Sequence, residues 1–325
     1  MASEDFSSGD EHSHHHHHHC HDSDSNSDSD EKEDKFNLDP EAKEIDLTHA
    51  GLRDFAEIGL EQFEKLEVLS LRQNYIGQLA ELDPLVNLTD LDLYDNRIMR
   101  IENLGKLKNL TLLDLSYNGI RVLENLEEQT ELDKLFLVSN KITKIRGLEK
   151  LAKLTVLELG ANRIRTIENL GTLSSLTSLF LGKNKITKIQ NLEGLPNLTL
   201  LSLQSNRIVK LEGLATLTRL EELYLSHNGI EVIEGLENLT RLTTLDLAGN
   251  QIKKLSCLTT LTNLEDFWFN DNFIELFSDV DQLKGATRIE TVYFVGNPIA
   301  TDVGYRRKIK LALPSLTQID ATRCA

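Results

Sequence analysis

Apolar residues in this chain recur with a period of 22, not with the period of an isolated strand or helix. The stretch Leu66-Glu-Val-Leu69-Ser-Leu71-Arg-Gln-Asn74-Tyr-Ile76 sets a template, L-x-x-L-x-L-x-x-N-x-I, and Leu79, Leu82 and Leu85 continue it. Its Asn returns at Asn96, Asn118, Asn140, Asn162, Asn184, Asn206, Asn228, Asn250 and Asn272, every step being 22 residues. Asn297 follows after 25, which places a three-residue insertion near Ser278–Gln282. Upstream, Ile45-Asp-Leu47-Thr-His-Ala50 is a degenerate first copy, with Ala50 where Asn is expected, so the pattern predicts twelve units.

The template has a physical reading. In x-L-x-L-x the leucines point to one side and the intervening residues to the other, because strand side chains alternate. Each unit therefore predicts one short strand, and stacked units predict a parallel sheet. The Asn amide, buried where the chain leaves the strand, can bond backbone groups of its own and the adjacent loop, giving a ladder along the stack. Twenty-two residues leave little room for a full helix, so the opposite, convex side is expected to consist of short 3₁₀ or helical turns. This is a leucine-rich repeat, and the expected fold is an α/β solenoid of twelve units with a concave parallel sheet.

A solenoid exposes an apolar face at each end, so capped ends are expected. Asp39-Pro40-Glu41 reads as an N-cap, a first-turn proline and an acidic first turn, predicting a short helix before the first strand. At the other end, Asp302 to Leu313 has helical spacing with Pro314 as its stop, and Leu316–Asp320 predicts one more strand over the edge. Residues 38–325 are thus expected to form one elongated repeat domain, its C-terminal cap covering about 298–325.

Composition changes the picture mainly before residue 38. The chain carries a formal charge of −17, and residues 1–35 hold 11 acidic side chains against Lys32 and Lys35. Residues 1–37 are Ser-, Asp-, Glu- and His-rich, too polar to bury a core, and are expected to be disordered. The run His14–His19 invites a metal-binding reading, against the plainer readings of a purification tag or low-complexity drift; it would bind nickel or zinc adventitiously in any case, and no metal function is assigned. The serines among acids at Ser23–Glu31 suit an acid-directed kinase, or simply a solvated acidic tail. The acidic balance argues against a nucleic-acid partner. No apolar run of 18 residues suggests a membrane span, and the N-terminus does not resemble a signal peptide.

Catalysis finds no support in the repeats. Outside the tail the histidines are His49 and His227, eight repeats apart, and Cys257 and Cys324 have no histidine partner. No phosphate-binding loop or metal-ligand cluster is present, so no enzyme, cofactor or metal is expected. The sequons at Asn87, Asn109, Asn197 and Asn238 share one repeat position; the repeat consensus explains them, and they are expected to remain unmodified.

Function is then expected on the concave face. Between the core leucines stand Asp46, Ser70, Asp92, Asp114, Phe136, Glu158, Phe180, Ser202, Tyr224, Asp246, Trp268 and Tyr293. Five of these twelve are aromatic, against 6% in the whole chain, and five more are acidic. Rings and carboxylates interleaved on a solvent-facing stripe suggest an interface for a basic, partly apolar protein surface. Asp90, Glu222 and Asp266 add acids beside the stripe, while Arg72 and Lys134 are basic exceptions.

The strict 22-residue unit, the count of twelve, the acidic N-terminal tail and the ending Asn297-Pro-Ile…Tyr305-Arg…Leu313-Pro-Ser-Leu…Ile319-Asp320 together resemble the protein phosphatase 1 regulatory subunit 7 family. The resemblance covers nearly all of residues 38–325. It implies a non-enzymatic subunit, nuclear and cytoplasmic, that binds the phosphatase catalytic subunit through the concave face and controls its activity and maturation. It leaves room for a further phosphatase inhibitor protein in the assembly, and the free chain is expected to be a monomer. The family's contact positions match Asp114, Phe136, Glu158, Phe180, Asp246, Asp266, Trp268 and Tyr293; the stripe adds Tyr224. A rival expectation is a scaffold for another nuclear or cytoskeletal assembly, and a more distant one is an adhesion module.

Overall fold

The structure, a computed structural model, describes residues 35–325. The histidine run and the serine-acid stretch lie outside the described residues. Twelve three-residue strands follow one another: β1 Glu44–Asp46, β2 Val68–Ser70, β3 Asp90–Asp92, β4 Leu112–Asp114, β5 Lys134–Phe136, β6 Val156–Glu158, β7 Ser178–Phe180, β8 Leu200–Ser202, β9 Glu222–Tyr224, β10 Thr244–Asp246, β11 Asp266–Trp268 and β12 Thr291–Tyr293. Each pairs in parallel with the next, so the spatial order is the chain order. The register joins equivalent positions; Glu158, for example, stands between Phe136 and Phe180. The sheet continues into β13, Gln318–Ile319, and ends in β14, Thr322–Arg323, which is antiparallel to β13.

The strands are short because the chain must leave the sheet within each unit. The residue before most ladder asparagines is left-handed, with φ between 53° and 58° at Gln73, Asp95, Tyr117, Ser139, Ala161, Lys183, Ser205, His227 and Asp271. That conformation is costly away from glycine, and here the bonds on either side hold it. One such bond is Tyr117 N–H to Val138 O at 2.7 Å. On the convex side successive turns close by i→i−3 bonds, such as Leu85 N–H to Leu82 O and Leu88 N–H to Leu85 O, both 3.0 Å. These are single 3₁₀-type turns. Among the described residues, continuous 3₁₀ segments occur at Phe55–Glu57, Leu60–Gln62, Phe277–Leu283 and Pro298–Thr301. The three-residue insertion is absorbed in the third of these, where Val280 and Leu283 still reach the core.

The core is a continuous column of Leu and Ile, with Phe267, Phe269 and Phe294 filling its C-terminal end. One member breaks the pattern. Gln129 occupies a leucine column and is fully buried. Its Nε2 donates to Leu104 O at 2.7 Å, while its Oε1 has no partner.

The asparagine side chains bond neighbouring units to each other. In each interior unit Oδ1 accepts the N–H of the Ile in the preceding unit, and Nδ2 donates both to that unit's strand-end carbonyl and to its own. Asn96 accepts from Ile76 N at 3.1 Å and donates to Leu71 O at 2.9 Å and Leu93 O at 3.1 Å. The same pattern runs through Asn118, Asn140, Asn162, Asn184, Asn206, Asn228, Asn250 and Asn272. It closes on Asn74, which accepts from Ala50 N and Leu52 N, and on Asn297, which accepts from Ile274 N. Two further columns repeat the device. Asn103, Asn125, Asn169 and Asn191 donate to Leu79, Ile101, Ile145 and Ile167 carbonyls. The sequon residues Asn87, Asn109, Asn197 and Asn238 donate to Glu64, Val86, Ser174 and Ala215 carbonyls, which gives that repeat position its structural reason.

The ends differ from expectation in detail. Asp39-Pro40-Glu41 forms a single turn, closed by Ala42 N–H to Asp39 O at 3.0 Å and by Glu41 N–H to the Asp39 carboxylate at 2.9 Å, not a helix. Only a few residues separate Pro40 from β1, too few to offset helix nucleation. Phe36, placed by the sequence in the tail, packs with Leu38 and Ala42 against the core and covers its first unit. At the other end the helix α1 runs Tyr305–Ala312 and stops before Pro314. Tyr305 donates to Asp320 at 2.9 Å, and the other oxygen of that carboxylate accepts Phe294 N and Val295 N at 2.8 and 3.0 Å. Asp320 thus fills the ladder's role at the last edge, and the β13–β14 hairpin covers it.

Candidate partner-binding face

Alternation in β1–β12 sends the central Ile, Leu, Phe or Val inward and its two neighbours outward. All the stripe aromatics, Phe136, Phe180, Tyr224, Trp268 and Tyr293, are half-buried on the outer face and none enters the core. The register sorts the candidate residues into two groups. Asp114, Phe136, Glu158 and Phe180 stand side by side on β4–β7. Tyr224, Asp246, Trp268 and Tyr293 stand side by side on β9–β12, with Asp266 two residues before Trp268. Between the groups, Ser202 on β8 is buried and bonds Gln204.

Two members of the first group, Glu158 and Phe180, border a hollow of about 210 Å³ that Gly160 and Gly182 also line. Glu158 accepts the Gly160 N–H at 2.7 Å. A Cβ at Gly160 would lie 2.8 Å from that carboxylate oxygen, and one at Gly182 would collide with Gln204. The two glycines therefore make the room. Burial pushes the Glu158 carboxyl up to about 7, against the opposing effect of its bond to Gly160. Burial also raises Asp114, which accepts Ser116 N–H at 2.9 Å.

The second group borders a cavity of about 450 Å³ lined by Asp246, Asp266, Trp268, Tyr293, His227 and Gln318 among others. Tyr224 and Trp268 rings lie 6.2 Å apart. Tyr224 donates to Glu222 at 2.8 Å, and burial followed by that neighbouring carboxylate raises its phenol. Burial raises Asp246, which accepts Ala248 N–H at 3.1 Å. Tyr293 accepts from Gln318 Nε2 at 3.0 Å. Toward the N-terminus the face changes character: Arg72 pairs with Asp92 at 2.9 Å and sits 4.0 Å over the Tyr94 ring.

Several of these residues were not singled out from sequence. Gly160, Gly182 and Gln204 lie two residues beyond the stripe, just after the strands. His227 is exposed, and its ring borders the second cavity beside left-handed Gly249. Reading the column two residues beyond the stripe would have exposed the two adjacent glycines. Cys257 lies on the convex side, where its thiol contacts Glu237 at 3.1 Å.

A family model described as leucine-rich repeats in two copies matches residues 130–172, 174–216, 218–259 and 240–285. The matched segments are leucine-rich repeats, in keeping with the solenoid built from the 22-residue units. Its fold is similar to that of an internalin of Listeria monocytogenes, with TM-score 0.69, 26% identity and 87% of each chain covered. A leucine-rich-repeat protein of Leptospira interrogans matches with TM-score 0.67 and 26% identity, over 80% of this chain and 74% of that one. In sequence the chain is 65% identical over 40 residues to protein phosphatase 1 regulatory subunit 7 of Bos taurus, covering 12% of this chain and 11% of the relative. It is 47% identical over 58 residues to protein phosphatase 1 regulatory subunit SDS22 of Schizosaccharomyces pombe, covering 18% and 17%. The matched stretches span about a tenth to a sixth of the length of these relatives. Within that span they bear out the resemblance to that family.

Proposed function

We propose that this chain is a non-enzymatic regulatory subunit that binds a protein phosphatase 1 catalytic subunit on its concave face and controls its activity and maturation. The observation that carries the reading is the pairing of half-buried rings with carboxylates whose ionised form is disfavoured. Glu158, Asp114 and Asp246 are all raised by burial. A lysine or arginine of a partner placed against them would restore the lost charge compensation, and the rings beside them offer apolar contact. The names of the relatives supply the partner. A rigid arc binding one conformation of the catalytic subunit more tightly than others would shift its population toward that conformation. The reading assigns the chain to nucleus and cytoplasm and allows a further phosphatase inhibitor protein to join the complex.

The test is calorimetric titration of the phosphatase catalytic subunit into wild type, Trp268→Ala and Phe180→Ala. Each substitution is expected to weaken binding by about 2 kcal/mol or more. The thermal midpoint should hardly move, because both rings lie outside the core. Equal affinity for all three proteins would remove the concave face from the interface.

A further inference from the structure

A second surface lies at the carboxyl ends of the strands, where each unit leaves the sheet. There the segments after Asn140, Asn162, Asn184 and Asn206 read Lys-Ile-Thr-Lys-Ile-Arg, Arg-Ile-Arg-Thr-Ile-Glu, Lys-Ile-Thr-Lys-Ile-Gln and Arg-Ile-Val-Lys-Leu-Glu. The aliphatic Ile and Leu residues are buried, and the residues between them project outward. Lys141, Arg163, Lys185 and Arg207 form one column; Lys144, Lys188 and Lys210 form another, with Arg165 and Arg146 beside it. Against these nine cations the same segments offer two acids, Glu168 and Glu212. Among the described residues only Lys210 of the nine has a carboxylate within reach, Glu212 at 3.8 Å. A basic flank of this density is unexpected on a chain with a net charge of −17.

The flank runs into an apolar feature. Val209 is 64% exposed and Val232, one unit further along the Lys188–Lys210 column, is 54% exposed. Val232 borders a cleft of about 420 Å³ shared with Glu231, Gln251, Lys253, Lys254 and Ser256. Gly229 helps keep the wall low, since a Cβ there would lie 3.3 Å from Val209.

We propose that this flank binds a short, extended, acidic segment of a partner protein carrying one aliphatic side chain. Charge complementarity selects the acids: like cations at about 4.8 Å intervals repel one another until anions come between them. From the Asn140 unit to the Asn228 unit is four strand spacings, about 19 Å, the length of about six extended residues. The cleft at Val232 then takes the aliphatic anchor beyond the acids. A nucleic acid has the charge but no aliphatic group for the cleft, and the acids on the adjacent concave face would repel its backbone. The proposal is independent of the phosphatase reading, because the flank shares none of the residues assigned to that interface.

The full chain is titrated by fluorescence anisotropy at moderate salt with a labelled peptide of six glutamates followed by leucine. A glutamine-for-glutamate peptide and a twelve-nucleotide uridine RNA are titrated in parallel. The acidic peptide should bind, the neutral one should not, and the RNA should bind more weakly. The triple variant Lys141→Glu, Lys185→Glu, Arg207→Glu should lose on the order of tenfold or more in affinity, and the matching Gln triple an intermediate amount. Val232→Ser should weaken the leucine-bearing peptide and leave a peptide without leucine unchanged. Phosphatase binding should be unaltered in all three variants. Unchanged peptide affinity in the charge variants, RNA binding as tight as the peptide, or no effect of Val232→Ser on the leucine-bearing peptide would overturn the assignment.

Discussion

Replacing Asn162 by alanine tests how the repeats are joined, and the structure sets the size of the effect. The side chain accepts Ile142 N–H at 3.1 Å and donates to Leu137 O at 2.9 Å, Leu159 O at 2.9 Å and Gly160 O at 3.1 Å. The three carbonyls all keep another donor. Leu137 O retains Asn140 at 3.2 Å, Leu159 O retains Asn184 at 3.0 Å, and Gly160 O retains Ser139 N at 3.0 Å. Only the Ile142 amide is left without a partner. One orphaned buried N–H should cost about 1–3 kcal/mol, not the sum of four broken bonds. The carbonyl sharing makes a second, sharper forecast. In the double variant Asn140→Ala, Asn162→Ala, Leu137 O loses both amides, so the pair should cost about 1 kcal/mol more than the two singles together. Urea unfolding followed by Trp268 fluorescence and by far-UV circular dichroism gives these values. Coincident transitions are needed, because a repeat array can unfold in pieces. A single variant within about 0.5 kcal/mol of wild type, or strict additivity in the double, would refute the shared-carbonyl account.

Three other outcomes follow from particular residues. Glu158 has a folded pKa of about 7 against an ordinary 4.5, so the folded state keeps a proton that the unfolded chain has released. Its contribution is therefore full below the unfolded value and is lost as pH rises toward 7. Glu158→Gln should flatten stability between those values and be more stable than wild type at pH 8 by about 1–3 kcal/mol, read by urea titration at several pH values; parallel pH profiles would contradict this. Gln129→Leu should raise stability by about 1–2 kcal/mol by removing a buried acceptor that has no partner, and a lowered thermal midpoint would count against it. Gly213→Ala should cost about 1–3 kcal/mol, since φ is +70° and the new Cβ would sit 2.5 Å from Ile189 O. Gly105→Ala, with nothing within 4 Å, is the near-neutral control in the same melting assay.

The architecture was legible because one constraint repeats: every unit must present the same strand, the same buried amide and the same apolar spacing to its neighbour. The strand positions and the ladder followed from that constraint, and the C-terminal helix from its own apolar spacing and the Pro314 stop. What escaped was mostly what occurs once and rests on contacts rather than on spacing. The N-terminal turn had helix-capping residues but no length in which to propagate. The β14 hairpin rests on Arg306 reaching Ile319 O at 2.8 Å, a contact with no periodic counterpart. The stripe itself was readable from strand alternation, but its division by Ser202, the hollow made by Gly160 and Gly182, and the raised Glu158 carboxyl depend on contacts between columns. The left-handed convex positions, filled by Asn103, Asn125, Asn169 and Asn191, by Gly147, Gly213 and Gly235, and at the ends by Glu81 and Cys257, form a column that could have been read from sequence. Its mixed occupancy, mostly asparagine and glycine, hid a single backbone requirement.

Because equivalent positions face each other at every parallel junction, duplicating or deleting one whole unit would leave every remaining contact in register. It would lengthen or shorten the arm by a single strand spacing, about 4.8 Å. A change of any other length has to be swallowed on the far side, as the 3₁₀ segment Phe277–Leu283 does. The reach of such a molecule is therefore inherited in discrete steps, like notches on a ruler, while point substitutions only repaint what each notch displays.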